Sequence, residues 1–136
     1  MATTTAAVTL TSDLLSDNMS VSASTTCMKA GTTADGLDMM EYGYVDIASG
    51  TAYDIIGNTP TASKASKLYV KNHSTDETYY ISVVLDAQAV GRLYGGDWML
   101  MPYNGGTNIT VASSTATETQ MLEYMVFADG IVAAKG

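Results

Sequence analysis

The residues with the chemistry to act are few. His73 is the lone histidine, in the turn-like run Asn72 to Asp76, with Ser74 beside it. A nucleophile–base pair needs a hydroxyl or thiol close to the imidazole in space, and Ser74 is adjacent only along the chain. A solvent-exposed turn histidine is the expected reading. Asp35, Asp38, Glu41 and Asp46 come nearest to an acidic cluster. They lack the Asp-x-Asp-x-Asp-Gly order of a calcium loop, and a glycosidase pair cannot be recognised from spacing. Charges at strand edges, where they discourage stray pairing, explain them adequately. Gly91 to Asp97 is glycine-rich but has no Gly-Lys-Ser/Thr ending, so a turn is expected there and not a phosphate cradle. With one cysteine, Cys27, and one histidine, a zinc site of the usual kind is excluded, and no intrachain disulfide can form. The sequence therefore points to no catalytic group, no metal and no cofactor.

A different kind of chemistry is open to the aromatic residues. Trp98, the only tryptophan, is close in sequence to Tyr94 and Tyr103. A single tryptophan packs in a core by default, but an exposed group of this kind can stack on sugars or anchor an interface. Nine tyrosines stand against one phenylalanine, which suits positions that are half wet.

Composition narrows the classes further. The chain of 136 residues is 46% hydrophobic, enough for one domain with a real core. Only 15% of residues are charged, which favours a surface that meets other protein surfaces. A net charge of −8 argues against direct nucleic-acid binding, since Lys64, Lys67 and Lys71 face acidic neighbours such as Asp76 and Glu77. The first residues show neither a basic region nor a long apolar run, and no window approaches a membrane span. We therefore expect a soluble protein made in a cytoplasm.

The elements that must position these residues are short strands. Lys67–His73, Thr78–Leu85, Gly95–Pro102, Thr107–Ala112 and Gln120–Phe127 are rich in β-branched and aromatic residues and separated by turn formers. Ile81, Val83 and Leu85 share a face with Tyr79, and the opposite face of that strand is also partly apolar. Leu122, Tyr124 and Val126 alternate with Met121, Glu123, Met125 and Phe127, again giving two largely apolar faces. Such outer faces are either covered by loops or free to meet a partner. Tyr42, Tyr44 and Asp46 fall on one side of an earlier strand, with Val45 and Ile47 on the other. Asp86 to Val90 reads as a turn of helix at most, and Pro102 ends a strand where a lost donor costs little. Tyr103 to Thr107 suits a hairpin loop, and Ile131 to Ala134 a last strand or a tail.

Residues 1–28 form a separate lead. Ala7–Leu10 and Met19–Ser22 are short and β-competent, with a turn expected over Asp13 to Asn18. They are either edge strands or an arm that completes a neighbour's sheet, with Val8, Leu10, Leu14, Leu15, Met19 and Val21 as its contact residues. The expected architecture is an all-β, antiparallel, jelly-roll-like sandwich over residues 29–136 with an extended N-terminal segment.

The order Lys67–Asn72, Tyr79–Leu85, Gly95–Pro102, Asn108–Ala112 and Met121–Phe127 resembles small β-sandwich structural proteins of tailed bacteriophages. Thr25 to Leu37 is similar to their threaded N-terminal part, while Gly95-Gly96-Asp97 stands where they often have Pro-Gly-Glu. The resemblance implies a non-enzymatic virion component, a capsid decoration (cement) protein on the outer surface of the shell. Its implied partners are the major capsid protein and itself, commonly as a homotrimer whose terminal segments clamp neighbours. A neck, tail or head-fibre protein is the alternative within the virion. A carbohydrate-binding module using Trp98, Tyr94 and Tyr103 is the alternative outside it.

Overall fold

The computed structural model describes residues 4–12, 19–27, 38–48, 53–55, 66–85, 87–102, 108–115 and 118–128. The turn expected over Asp13 to Asn18, the hairpin loop expected over Tyr103 to Thr107 and the strand or tail expected over Ile131 to Ala134 lie outside them. So do Leu14, Leu15, Asp35 and Tyr103. The described residues form strands and turns, with no helix among them. In chain order the strands are β1 (Thr4–Ser12), β2 (Met19–Cys27), β3 (Asp38–Ile47), β4 (Tyr53–Asp54), β5 (Ser66–Asn72), β6 (Tyr80–Leu85), β7 (Gln88–Tyr94), β8 (Trp98–Pro102), β9 (Ile109–Ser113) and β10 (Gln120–Ala128).

Eight of them make two four-stranded antiparallel sheets, β3-β10-β5-β8 and β4-β9-β6-β7, packed as a sandwich. The pairing is nested: β3 with β10, β4 with β9, β5 with β8, and β6 with β7. The chain is thus one long hairpin folded back on itself at β6–β7. It is then rolled so that β10 also pairs β5 and β9 also pairs β6. β1 and β2 stay apart as a two-stranded sheet of their own, in unbroken register from Thr4↔Cys27 to Ser12↔Met19.

Period-two alternation decides which side chains face inward. In β5, Ser66, Leu68, Val70 and Asn72 are buried, while Lys67, Tyr69 and Lys71 are half-buried on the outer side. Ile47, Ile81, Val83, Leu93, Ile109, Val111, Leu122 and Val126 complete the core with Leu68, Val70 and Ile55, and Met99 and Met101 pack against it. Burying each such side chain contributes about 1.5–3 kcal/mol. β6 and β10, whose two faces both read as apolar, are interior strands of their sheets. Pro102 lies on β8, an edge strand, where no ladder bond is lost.

Two expectations are corrected. Gln88 to Val90 is extended, and Gly91 to Tyr94 continues it as β7; the glycine-rich turn is confined to Gly95 and Gly96. A tight turn joins Leu85 to its partner Gln88, with Ala87 in the left-handed region at φ 61°. Pairing with β6 and burial of Leu93 override the weak local preference of this run. Trp98, for which a core position is the default and an exposed anchor the alternative, lies on the edge strand and is 48% exposed.

One end of the sandwich is closed by a buried polar network. The Asn72 side chain is fully enclosed; its Nδ2 donates to the Leu93 carbonyl (2.9 Å) and to Gln120 Oε1 (3.0 Å). Its Oδ1 accepts from the Ser74 amide (2.9 Å). Gln120 Nε2 donates onward to the Tyr80 carbonyl (3.1 Å) and Ser113 Oγ (2.7 Å). The Asn72 backbone donates to the Asp97 carbonyl and accepts from the Gly96 amide, both at 2.9 Å. Gly95 is required here, since a Cβ would come within 2.6 Å of the Asp76 carbonyl oxygen. Gly96 adopts φ +88°.

Asn72→Ala strands the Leu93 carbonyl, Gln120 Oε1 and the Ser74 amide together, so we expect a loss of about 3 kcal/mol in urea unfolding. Adding Gln120→Ala to that variant should cost less than Gln120→Ala alone, because the two act as one network.

Candidate functional site

The outer face of the β3-β10-β5-β8 sheet gathers Tyr42, Tyr44, Lys71, Trp98 and Glu123, with His73 beside them. Residues opposite one another in register share a face, so the ladders fix its layout. Glu123 on β10 stands between Tyr44 on β3 and Lys71 on β5, and Lys71 stands opposite Trp98 on β8. The next row is Tyr42, Met125, Tyr69 and Leu100.

Glu123 is the centre of the polar part. It is 9% exposed, and both of its oxygens are in use. His73 Nε2 lies 2.9 Å from Oε1, while the Tyr44 hydroxyl donates to Oε2 at 3.0 Å and Tyr42 reaches the same atom at 3.4 Å. His73 comes directly after β5 and is fixed through its backbone amide, which donates to the Met121 carbonyl at 2.8 Å. It is exposed, as a turn histidine should be, yet its ring is held by Glu123 and lies 5.7 Å from the Tyr44 ring. The Tyr42 and Tyr44 rings meet edge to face at 5.8 Å.

Charge placement is a consequence of these bonds. The hydrogen bond from His73, and then that from Tyr44, holds the Glu123 carboxyl below its ordinary range, against the opposing effect of burial. The Tyr44 phenol is pushed up by its hydrogen bonds with Tyr42 and with Glu123. Burial, with the nearby Glu123 charge, raises that of Tyr69. These phenols are donors to a carboxylate, the opposite of activated nucleophiles. Ser74 Oγ accepts from the Asp76 amide at 3.1 Å, so the hydroxyl serves its own loop while His73 Nε2 faces Glu123.

The remaining candidates are dispersed. Asp46 is exposed on β3 opposite Met121, and Asp38 and Glu41 lie on the same strand. Among the described residues no group of three His, Cys, Asp or Glu could hold a metal ion. Tyr94 and Trp98 are not brought together. Tyr94 pairs with Tyr80 on the outer face of the second sheet, ring centroids 5.3 Å apart, with Arg92 over the Tyr80 ring at 4.7 Å. Trp98 belongs to the outer face of the first sheet and lies against Tyr69, centroids 6.5 Å apart.

β1 lies over part of the first sheet's outer face, with Ala6 packed on Phe127 near Met125. Thr5 to Val8 of β1 and Tyr69, Trp98, Leu100, Met125 and Phe127 of the sheet line a groove of about 290 Å³. Val8 is half-buried there, whereas Leu10, two residues on along the same side, is 56% exposed. Val21 stands opposite Leu10, and Met19 opposite Ser12. The local pattern placed Tyr42 and Tyr44 on a common face. It carried no sign of their bond to Glu123, 81 and 79 residues away in sequence.

No protein-family model matches the chain, and no curated protein or solved structure is significantly similar to it.

Because the folded-state carboxyl of Glu123 sits below its unfolded value, its contribution to stability is complete above about pH 4.3. It is lost as pH falls through the lowered folded value. Glu123→Gln should lower stability at neutral pH and flatten the acid limb over the range below about pH 4.3. Urea midpoints measured across that range would check it.

Proposed function

We propose that this chain is a non-enzymatic structural protein of a virion, a capsid decoration protein that binds the outer surface of the major capsid protein shell. The strand order supports the reading. Eight strands in two antiparallel sheets with nested pairing support a jelly-roll reading, an architecture used in viral capsid domains as well as lectins. The resemblance in sequence order over Lys67 to Phe127 points the same way.

The observation that carries the proposal is the β1–β2 hairpin. Its strands pair with each other and with no strand of the sandwich. A lone two-stranded hairpin is marginal in water, so it needs a surface to lie on. Part of β1 finds one at Phe127, while Leu10 continues the same side of the strand into solvent. Val8, Leu10, Met19 and Val21 then form the segment that reaches the capsid or a second copy, and among the described residues neither outer edge of the hairpin is paired, which suits strand addition. Many modest contacts of this kind, repeated by symmetry, hold a shell without one strong site.

The copy number of the chain in purified particles, relative to the major capsid protein, tests this directly. We expect a ratio near one to one, or one trimer per capsid three-fold position. A few copies per particle would place the protein in a neck or tail instead, and its absence from particles would refute the virion role. Deletion of residues 1–28 should abolish incorporation, while the isolated sandwich still unfolds cooperatively with its midpoint lowered only by the uncovering of Phe127.

A further inference from the structure

We propose that the outer face of the first sheet also binds carbohydrate, taking a linear oligosaccharide laid across the strands along the row Tyr44, Glu123, Lys71 and Trp98. The row is set by three register pairs, Tyr44↔Glu123, Glu123↔Lys71 and Lys71↔Trp98. Its two ends are aromatic and open, with Tyr44 52% and Trp98 48% exposed. Three inter-strand steps separate them, about 14 Å, the span of a tri- to tetrasaccharide.

Both rings are fixed in advance. Tyr44 is tied through its hydroxyl to Glu123 and braced edge to face by Tyr42, and Trp98 leans on Tyr69. A sugar ring offers a face of electropositive C–H groups to the electron-rich face of an aromatic ring, so prepositioned rings make a platform with little entropy left to lose. Between the platforms stand an ammonium, Lys71, and a carboxylate, Glu123, with His73 alongside. Lys71 and His73 meet the hydroxyls that project from the edges of a sugar, while the enclosed Glu123 carboxylate holds His73 and Tyr44 in place.

The same arrangement argues against the other occupants. A protein interface places its aromatic anchors centrally and depletes charge there, whereas here the charges are central and the aromatics terminal. A nucleic acid would meet Glu123 and Asp46 on a chain of net charge −8. β1, which shares the groove beside Trp98, supplies a wall along one side of the row.

The test is titration of the full chain with cello-, xylo-, manno- and chito-oligosaccharides and oligogalacturonate, from one to four units, monitored by calorimetry. We expect at least one series to bind, with affinity rising steeply from the monosaccharide to the tri- or tetrasaccharide. Trp98→Ala and Tyr44→Ala should each weaken binding tenfold or more while the thermal transition persists, and Trp98→Phe should retain most of it. Tyr94→Ala, on the opposite outer face, should leave it unchanged. Four results would overturn the proposal. They are no binding of any series at millimolar sugar by the folded chain, equal affinity for one unit and four, indifference to both Ala substitutions, and loss on Tyr94→Ala.

Discussion

The sandwich depends on one interaction, the bond between the buried amides of Asn72 and Gln120. Asn72 ends β5 at the point where the two sheets must be held in register, and no apolar side chain could do its work there. Its side chain reaches β7 through the Leu93 carbonyl and β10 through Gln120, and Gln120 continues to β6 and β9 through Tyr80 and Ser113. Each of these partners would cost free energy if left buried without a bond, so the network holds only when complete. That requirement ties strands from both sheets to one geometry. The β7–β8 turn is fixed by the same residue through its backbone, which is why Gly95 and Gly96 appear where they do.

This lock divides the labour between the faces of the sandwich. The inner faces carry the apolar residues and the polar seal. The outer face of the first sheet is then left to polar and aromatic groups, beginning immediately after Asn72 with His73 and continuing to Glu123. Glu123 sits on β10, an interior strand with neighbours on both sides. Three side chains from two flanking segments satisfy it, and in return it fixes the rings of Tyr42 and Tyr44. The open tyrosines of this face therefore rest on Glu123, while the hairpin, whose strands pair among the described residues with none of the sandwich, meets this face through β1.

Much of the fold is legible in local pattern. β5 alternates cleanly because one side of it meets the core, and the doubled apolar faces of β6 and β10 mark them as interior strands. β7 was not legible. Gln88 to Tyr94 contains Gly91 and Arg92 and only one buried side chain, Leu93, so its extended form is imposed by pairing with β6 and not by its own composition. The candidate site was legible only in part. Tyr42 and Tyr44 fall on one face by simple alternation, and Trp98 stands out by type. The bonds that join Tyr44, His73 and Glu123 depend on which strands become neighbours, and the sequence separations involved leave no local trace. The grouping of Tyr94 with Trp98 failed for the same reason, since four residues suffice for the chain to pass from one sheet to the other.

Amide hydrogen exchange at the sealed end tests the central claim most directly. If the Asn72 network locks the sandwich, the amides of Asn72, His73, Gly96 and Asp97, though in or next to turns, should exchange only through global unfolding, as slowly as those of Val70 and Leu122. Exchange of these amides at rates typical of open loops, while the strand interiors stay protected, would contradict the account.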